Sequence, residues 1–236
     1  MFFDTRIGRN FVRVVVEKAI IVCHGLPYEA GSVIDKNYYE LAKKIARRLP
    51  AVIFDFTGTG ASRGDFSLLS WKEDILRLAE EFENVLLVGY SMGGCIALAA
   101  ASELENVEKV AVVASPCCAD TFSEESLREI HANAISRGLL RGVDSFEKFR
   151  DRFISEFLEI EPLKYLPKLT IPKLFVHGTD DNIVPFWHSE KMYSLAKKPK
   201  SFFIVENGNH FLRRREDVTE KILDWIEGKI EGELKI

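Results

Sequence analysis

Several things are scarce in this chain of 236 residues, and each scarcity removes a class of protein. No apolar run approaches the roughly 18 residues that a membrane-spanning helix needs. Met1 to Asn10 carries Asp4, Arg6 and Arg9 where a secretory signal requires an unbroken apolar stretch. Cysteine occurs four times, at Cys23, Cys95, Cys117 and Cys118. Two of these are adjacent and none forms a CxxC pair, so neither a zinc site nor a disulfide framework is indicated. A reducing, cytoplasmic compartment is expected. Neither sign of charge dominates: 32 Lys and Arg stand against 36 Asp and Glu, a net charge of −4 spread along the chain. That balance leaves no basic face for nucleic acid. Internal repeats and low-complexity tracts are lacking too.

Apolar material is plentiful. At 47% of the residues it excludes intrinsic disorder, and the length fits one large domain, alone or with a small insertion. Short runs rich in β-branched and aromatic residues recur at Phe11–Val16, Ala19–Cys23, Ala51–Phe56, Val85–Gly89, Val110–Ala114, Leu174–His177 and Phe202–Val205. Most are unbroken rather than alternating, the pattern of strands buried on both faces. Between them lie stretches of helical period: Asp35–Arg48, Trp71–Glu83, Met92–Leu104, Phe186–Ala196 and Glu216–Glu227. In the second, Ile75, Leu78, Ala79 and Phe82 form the apolar stripe of a helix lying on a sheet. The alternation predicts an α/β fold, a mostly parallel central sheet with helices on both faces. Only Glu17 and Lys18 separate the first two runs, which predicts a hairpin between them at the sheet edge.

The alternation breaks once. Residues 115–170 hold no convincing strand, but Ser123–Arg137 and Ser145–Glu159 have helical character and are joined by Gly138 and Gly142. Pro162 and Pro167 close the segment, as expected of a helical cap inserted into a core made of residues 1–114 and 171–236. Its phenylalanines (Phe122, Phe146, Phe149, Phe153, Phe157) are expected to pack cap against core rather than to form a lipid groove. The charged cluster Arg213–Asp217 reads as the solvated start of the last helix.

One junction carries chemistry. Gly89-Tyr90-Ser91-Met92-Gly93 matches G-x-S-x-G between a strand and a helix. So tight a turn strains the Ser backbone, and the positions two before and two after it must be small because the chain segments nearly touch. The helix N-terminus also turns free N–H groups toward any negative charge developing beside Ser91. A serine nucleophile needs a base, and the base needs a carboxylate. Loops after later strands offer Asp180 or Asp181 and then His210, in the order that Ser91 requires.

On these residues the chain resembles the α/β-hydrolases, from about Ile20 to Ile226. His177-Gly178-Thr179-Asp180-Asp181-Asn182-Ile183-Val184-Pro185 is similar to the family's HGxxDxxVP segment, which implies Asp181 rather than Asp180 as the catalytic acid. Cys23-His24-Gly25-Leu26-Pro27 resembles the HGxP loop, which implies the backbone N–H groups of Leu26 and Met92 as oxyanion donors, with His24 structural. Asp55-Phe56-Thr57-Gly58-Thr59-Gly60-Ala61-Ser62 resembles the D-x-x-G-x-G-x-S turn, although many relatives carry His or Arg where Thr59 stands. Arg63-Gly64-Asp65-Phe66 is similar to small-lid cinnamoyl and feruloyl esterases and to serine-aminopeptidase-like or monoacylglycerol-lipase-like hydrolases. The resemblance implies a serine hydrolase with the triad Ser91, Asp181 and His210, cleaving small carboxylic esters through an acyl-enzyme. It implies no metal or organic cofactor. A monomer is expected, or a homodimer through the edge near Phe11–Val16. A thioesterase, amidase or aminopeptidase-like peptidase on the same triad is the nearer alternative, and a non-catalytic binding module the farther one. His131 and His188, each lacking a second ligand at metal-site spacing, are expected to be surface or packing residues and Cys95 a buried small apolar residue, whereas Cys117 and Cys118, at the entry to the cap near the expected pocket, are assigned no chemistry.

Overall fold

All but the first of the apolar runs assemble in one parallel sheet. The structure, a computed structural model, describes residues 1–7, 10–35 and 37–236. Its strands are β1 (Phe2–Ile7), β2 (Asn10–Val15), β3 (Lys18–Cys23), β4 (Ala51–Ile53), β5 (Asn84–Tyr90), β6 (Val107–Val113), β7 (Lys173–Gly178), β8 (Lys200–Val205) and β9 (Glu233–Lys235). Its helices are α1 (Asn37–Ile45), α2 (Leu68–Glu80), α3 (Met92–Ala101), α4 (Glu124–Arg137), α5 (Phe146–Ile160), α6 (Pro162–Tyr165), α7 (Trp187–Leu195) and α8 (Glu216–Ile226). The main sheet runs β4-β3-β5-β6-β7-β8-β9, with every neighbouring pair parallel.

Successive residues of a strand face opposite sides, so each central strand feeds two cores. Ile20, Val22, Leu86, Val88, Ala111 and Val113 pack with Tyr38 and Leu41 of α1 and Ile222 and Trp225 of α8. Ile21, Leu87, Val110 and Val112 pack on the other side with Trp71 and Ile75 of α2, Ile96 of α3, and α5. Every residue of α3 is buried, which is why it is apolar all round instead of striped.

The expected hairpin is corrected. Phe11–Val16 does not pair with Ala19–Cys23 at the sheet edge; β2 pairs antiparallel with β1 in a separate two-stranded sheet. Strand β3 instead sits between β4 and β5, with Lys18 in register with Asn84. A strand buried on both faces gains most from neighbours on both sides, which outweighs the short link. The expected strand Ala51–Phe56 ends at Ile53, because the Phe56 N–H is bonded to the His24 ring. The expected helix Asp35–Arg48 includes Lys36, which lies outside the described residues, as does Arg9 of the N-terminal stretch. Strands β1 and β9 were not anticipated.

Between β6 and β7 the chain forms a 3-10 turn (Ala119–Thr121) and then α4, α5 and α6. Ser123 and Ser145 cap α4 and α5 by accepting the N–H of Ser126 and of Lys148, and Gly138 ends α4 at φ 62°. Glu156 of α5 accepts the Leu68 N–H at the start of α2 (2.6 Å) and the Ser67 hydroxyl (3.1 Å). The rings of Phe149, Phe153 and Phe157 stack down one side of α5, and Phe66 meets Phe153 from the core. Phe153 is fully buried.

The helices after β6 therefore share the main core instead of forming one of their own. Phe153→Ala should cost about 3–5 kcal/mol of stability in urea unfolding, with a single transition. A loss below about 1 kcal/mol, or a second transition, would show α5 to be loosely attached.

Candidate active site

Strand β5 runs into α3 through Ser91, whose φ of 52° and ψ of −124° are strained for a residue with a side chain. Its N–H is fixed by the Val113 carbonyl at 2.8 Å. A Cβ on Gly93 would overlap the carbonyl oxygens of Cys23 and His24, and one on Gly89 would overlap Gly93 and Gly94. The spacing of G-x-S-x-G thus reflects a turn wedged between its own helix and the end of β3.

The loop after β3 is pinned by His24. This buried ring donates from Nδ1 to the Gly25 carbonyl (2.6 Å) and accepts the Phe56 N–H on Nε2 (3.1 Å). Burial lowers its pKa to about 4, so the ring is neutral. Asp55 accepts the N–H groups of Val33 and Ala61, both at 2.8 Å, and holds the neighbouring loops. Leu26 and Met92 border the same cavity as Ser91. Among the described residues neither backbone N–H donates to a protein acceptor, and Met92 opens α3, where such donors are free.

The other two predicted residues come from the loops after β7 and β8. These loops touch: a Cβ on Gly178 would overlap the backbone of Gly208, and the Thr179 N–H donates to the Val205 carbonyl at 3.0 Å. The contact brings His210 Nδ1 to Asp181 Oδ2 at 2.8 Å. Oδ1 of Asp181 accepts the N–H groups of Ile183 (2.9 Å) and Val184 (2.8 Å). Asp180 is instead exposed and accepts from the Thr179 hydroxyl. His177 is the residue that sequence reasoning passed over. Its Nε2 lies 2.8 Å from the Val184 carbonyl and 3.2 Å from Asp181 Oδ2, while Nδ1 meets the Ser189 hydroxyl at 2.6 Å. Its only signal was its place as the first residue of the HGxxDxxVP-like segment. Burial pushes the Asp181 carboxyl up, but hydrogen bonds from His177 and His210 outweigh that and hold it well below the usual carboxylate range.

His210 and Ser91 border one cavity of about 570 Å³, without a direct hydrogen bond between them. Leu139, Leu140 and residues of α4, among them Ile130 and Arg137, form its other side. Arg213 borders it as well and is nearly buried, which corrects the solvated reading for this one residue; Arg214, Glu216 and Asp217 are exposed at the start of α8 as expected. His188 is a buried packing residue, but it has neighbours of ligand type that the spacing did not suggest. It lies within 4.8 Å of both cysteine sulfurs, the one group among the described residues able to hold a metal. His188 Nδ1 accepts the Cys117 N–H, Nε2 donates to the Thr121 hydroxyl, and burial lowers the His188 pKa to about 4 and pushes the Cys117 thiol up to about 12.

A family model described as "Alpha/beta hydrolase family" matches residues 20–221. The chain belongs to that family. Among curated relatives, YqkD of Bacillus subtilis (strain 168) is 26% identical over 81% of this chain. The match spans 64% of that protein's own length. Human monoglyceride lipase is 26% identical over 88% of this chain and 80% of its own. A lipase-esterase related protein from Clostridium acetobutylicum superposes with a TM-score of 0.67 at 19% identity, covering 98% of this chain and 99% of that one. No helix among the described residues of this α/β-hydrolase is long and apolar enough to cross a membrane.

Two outcomes test this geometry. Gly93→Ala should destabilise the fold by at least the roughly 1–3 kcal/mol of ordinary overpacking, because its clash is with carbonyls that cannot swing aside. An unchanged melting temperature would refute the wedge. The fold favours ionised Asp181, so this carboxylate adds stability above its unfolded value of about 3.9, and the gain is lost as pH falls further. The gap in urea midpoint between wild type and Asp181→Asn should accordingly be large near pH 7 and begin to narrow only as pH falls below about 3.9. A gap independent of pH would mean that the carboxylate charge is not what the loops hold.

Proposed function

We propose that this chain is a serine hydrolase that cleaves small carboxylic esters through an acyl-enzyme. The observation that carries the reading is the pairing of a strained Ser91 with His210 on one cavity, His210 being held by an ionised Asp181. In this mechanism Ser91 Oγ attacks the ester carbonyl while His210 Nε2 takes its proton. Asp181 fixes the tautomer that leaves Nε2 free and stabilises the imidazolium that forms. The N–H groups of Leu26 and Met92 receive the oxyanion, each such donor being worth about 3 kcal/mol in the transition state. His210 then protonates the departing alcohol, and a water activated by the same ring releases the acid.

A cavity of about 570 Å³ suits a small ester. Helix α4 and the turn before it act as the cap, Phe122 and Ile130 offering an apolar wall to the acyl or alcohol group. The four cysteines are free thiols, in keeping with a cytoplasmic setting.

Hydrolysis of p-nitrophenyl esters from acetate to palmitate tests the reading, wild type beside Ser91→Ala. Activity should peak at short chains and fall at least about 10³-fold in the variant. A fluorophosphonate should add its mass at Ser91 in the wild type. Silence toward esters with Ser91 still labelled would move the substrate to thioesters or amides. Silence without labelling would end the catalytic reading.

A further inference from the structure

The least satisfied charge in the cavity wall belongs to Arg213. It lies on the 3-10 turn Leu212–Arg214 just after His210, is 8% exposed, and borders the cavity with Ser91 and His210. A guanidinium keeps its charge at any physiological pH and brings five N–H donors, so burying it without a counter-ion is costly. Its neighbours have counter-ions: Arg214 reaches Glu29 at 4.0 Å, and Arg215 pairs with Asp217. Among the described residues no carboxylate comes within ion-pair distance of Arg213. The other acid on the cavity, Glu129, does not reach it either.

Arg213 is instead held by rings. Its guanidinium carbon lies 5.2 Å from the Tyr28 ring centre, 5.4 Å from that of Tyr38 and 5.3 Å from that of Phe211. These faces attract a cation and fix its plane, but they offer little as acceptors. The one acceptor is the Tyr28 hydroxyl, which takes Nη2 of Arg213 and is shared with Arg214. Nε is buried and has no acceptor at all. A fork that is rigid, charged and short of acceptors is preorganised for an oxyanion. Its position is suited to a substrate as well. Phe211 bridges the two groups, its ring 5.8 Å from the His210 ring and packed on the guanidinium.

We propose that the cavity takes an acidic ester, with the scissile carbonyl at Ser91 and an anionic group at the far end received by Arg213. A carboxylate and a phosphonate-type group share this chemistry. The proposal rests on the reading of Ser91 as the acyl-enzyme nucleophile, and it names the substrate class for that site.

The test compares monomethyl esters of straight-chain diacids, from succinate to suberate, with methyl esters of uncharged acids of matched length. Proton release is followed at fixed pH and low ionic strength. At the best length the acidic ester should be favoured about tenfold or more in kcat/KM, mainly through KM, and added salt should shrink the preference. Methyl phosphonoalkanoates form a second arm; whichever anion is preferred identifies the group that Arg213 receives. Arg213→Met should lower kcat/KM for the acidic ester by more than for the neutral one, and Arg213→Lys should restore part of the difference. Tyr28→Phe keeps the charge and should keep the preference. If Arg213→Met fails to fold, inhibition of neutral-ester hydrolysis in the wild type decides: adipate should compete and adipamide should not. Neutral esters hydrolysed as well as acidic ones would overturn this proposal and leave the serine-esterase reading standing. Inertness toward every ester, with Ser91 unlabelled by the fluorophosphonate, would overturn both.

Discussion

The architecture depends on one close approach, the wedging of the Ser91 turn against the end of β3. Gly93 lies so near the Cys23 and His24 carbonyls that no side chain fits, and Ser91 adopts a positive φ to make the turn. Such strain persists only where the surroundings over-determine it. Here they do. Strands β3 and β5 are adjacent and parallel, α3 is buried along its whole length, and the Val113 carbonyl holds the Ser91 N–H. The same contact brings the loop after β3 against the turn, with Gly25 packed on Ser91 and Leu26 on the same cavity.

A second close approach is built the same way at the other side of the cavity. Gly178 and Gly208 let the loops after β7 and β8 touch, so Asp181 meets His210 although 28 residues separate them in between. Asp181 is then over-supplied with donors: two backbone N–H groups, His210 and His177. That surplus keeps the carboxyl ionised despite its burial. Ser91 and His210, which the two contacts position, border one cavity, and residues of α4 and its flanking turns line it too. In this arrangement the parallel sheet acts as a spacer between glycine-lined junctions.

The parts that were legible in the chain are those set by neighbours in sequence. Unbroken apolar runs marked the strands of the main sheet except β9. That strand is three residues long and carries Glu233 and Lys235, so it offers no apolar run to read. Ser123 and Ser145 marked the starts of α4 and α5 because a cap acts within three residues of itself. The hairpin was misread because a short link suggests pairing, whereas burial on both faces decides which strands go to the middle. Arg213 was misread for a related reason. A run of charges reads as solvated, and only the rings of Tyr28, Tyr38 and Phe211, distant in the chain or adjacent to it, turn that side chain inward.

The sequence by itself determined the α/β class, the tight turn at Ser91 and the pool of residues able to serve as acid and base. Periodicity, caps and turn glycines act over a few residues, and such effects can be read in order along a chain. The choice of Asp181 over Asp180 came from the resemblance of the segment after β7, since spacing leaves both open; only the tertiary structure decided that His177 steadies that carboxylate, that His188 lies against Cys117 and Cys118, and that Arg213 is buried at the cavity wall. Each of these is a pairing of side chains carried by different strands or loops. Sheet order and close packing bring them together, and neither is written in the spacing of the residues themselves.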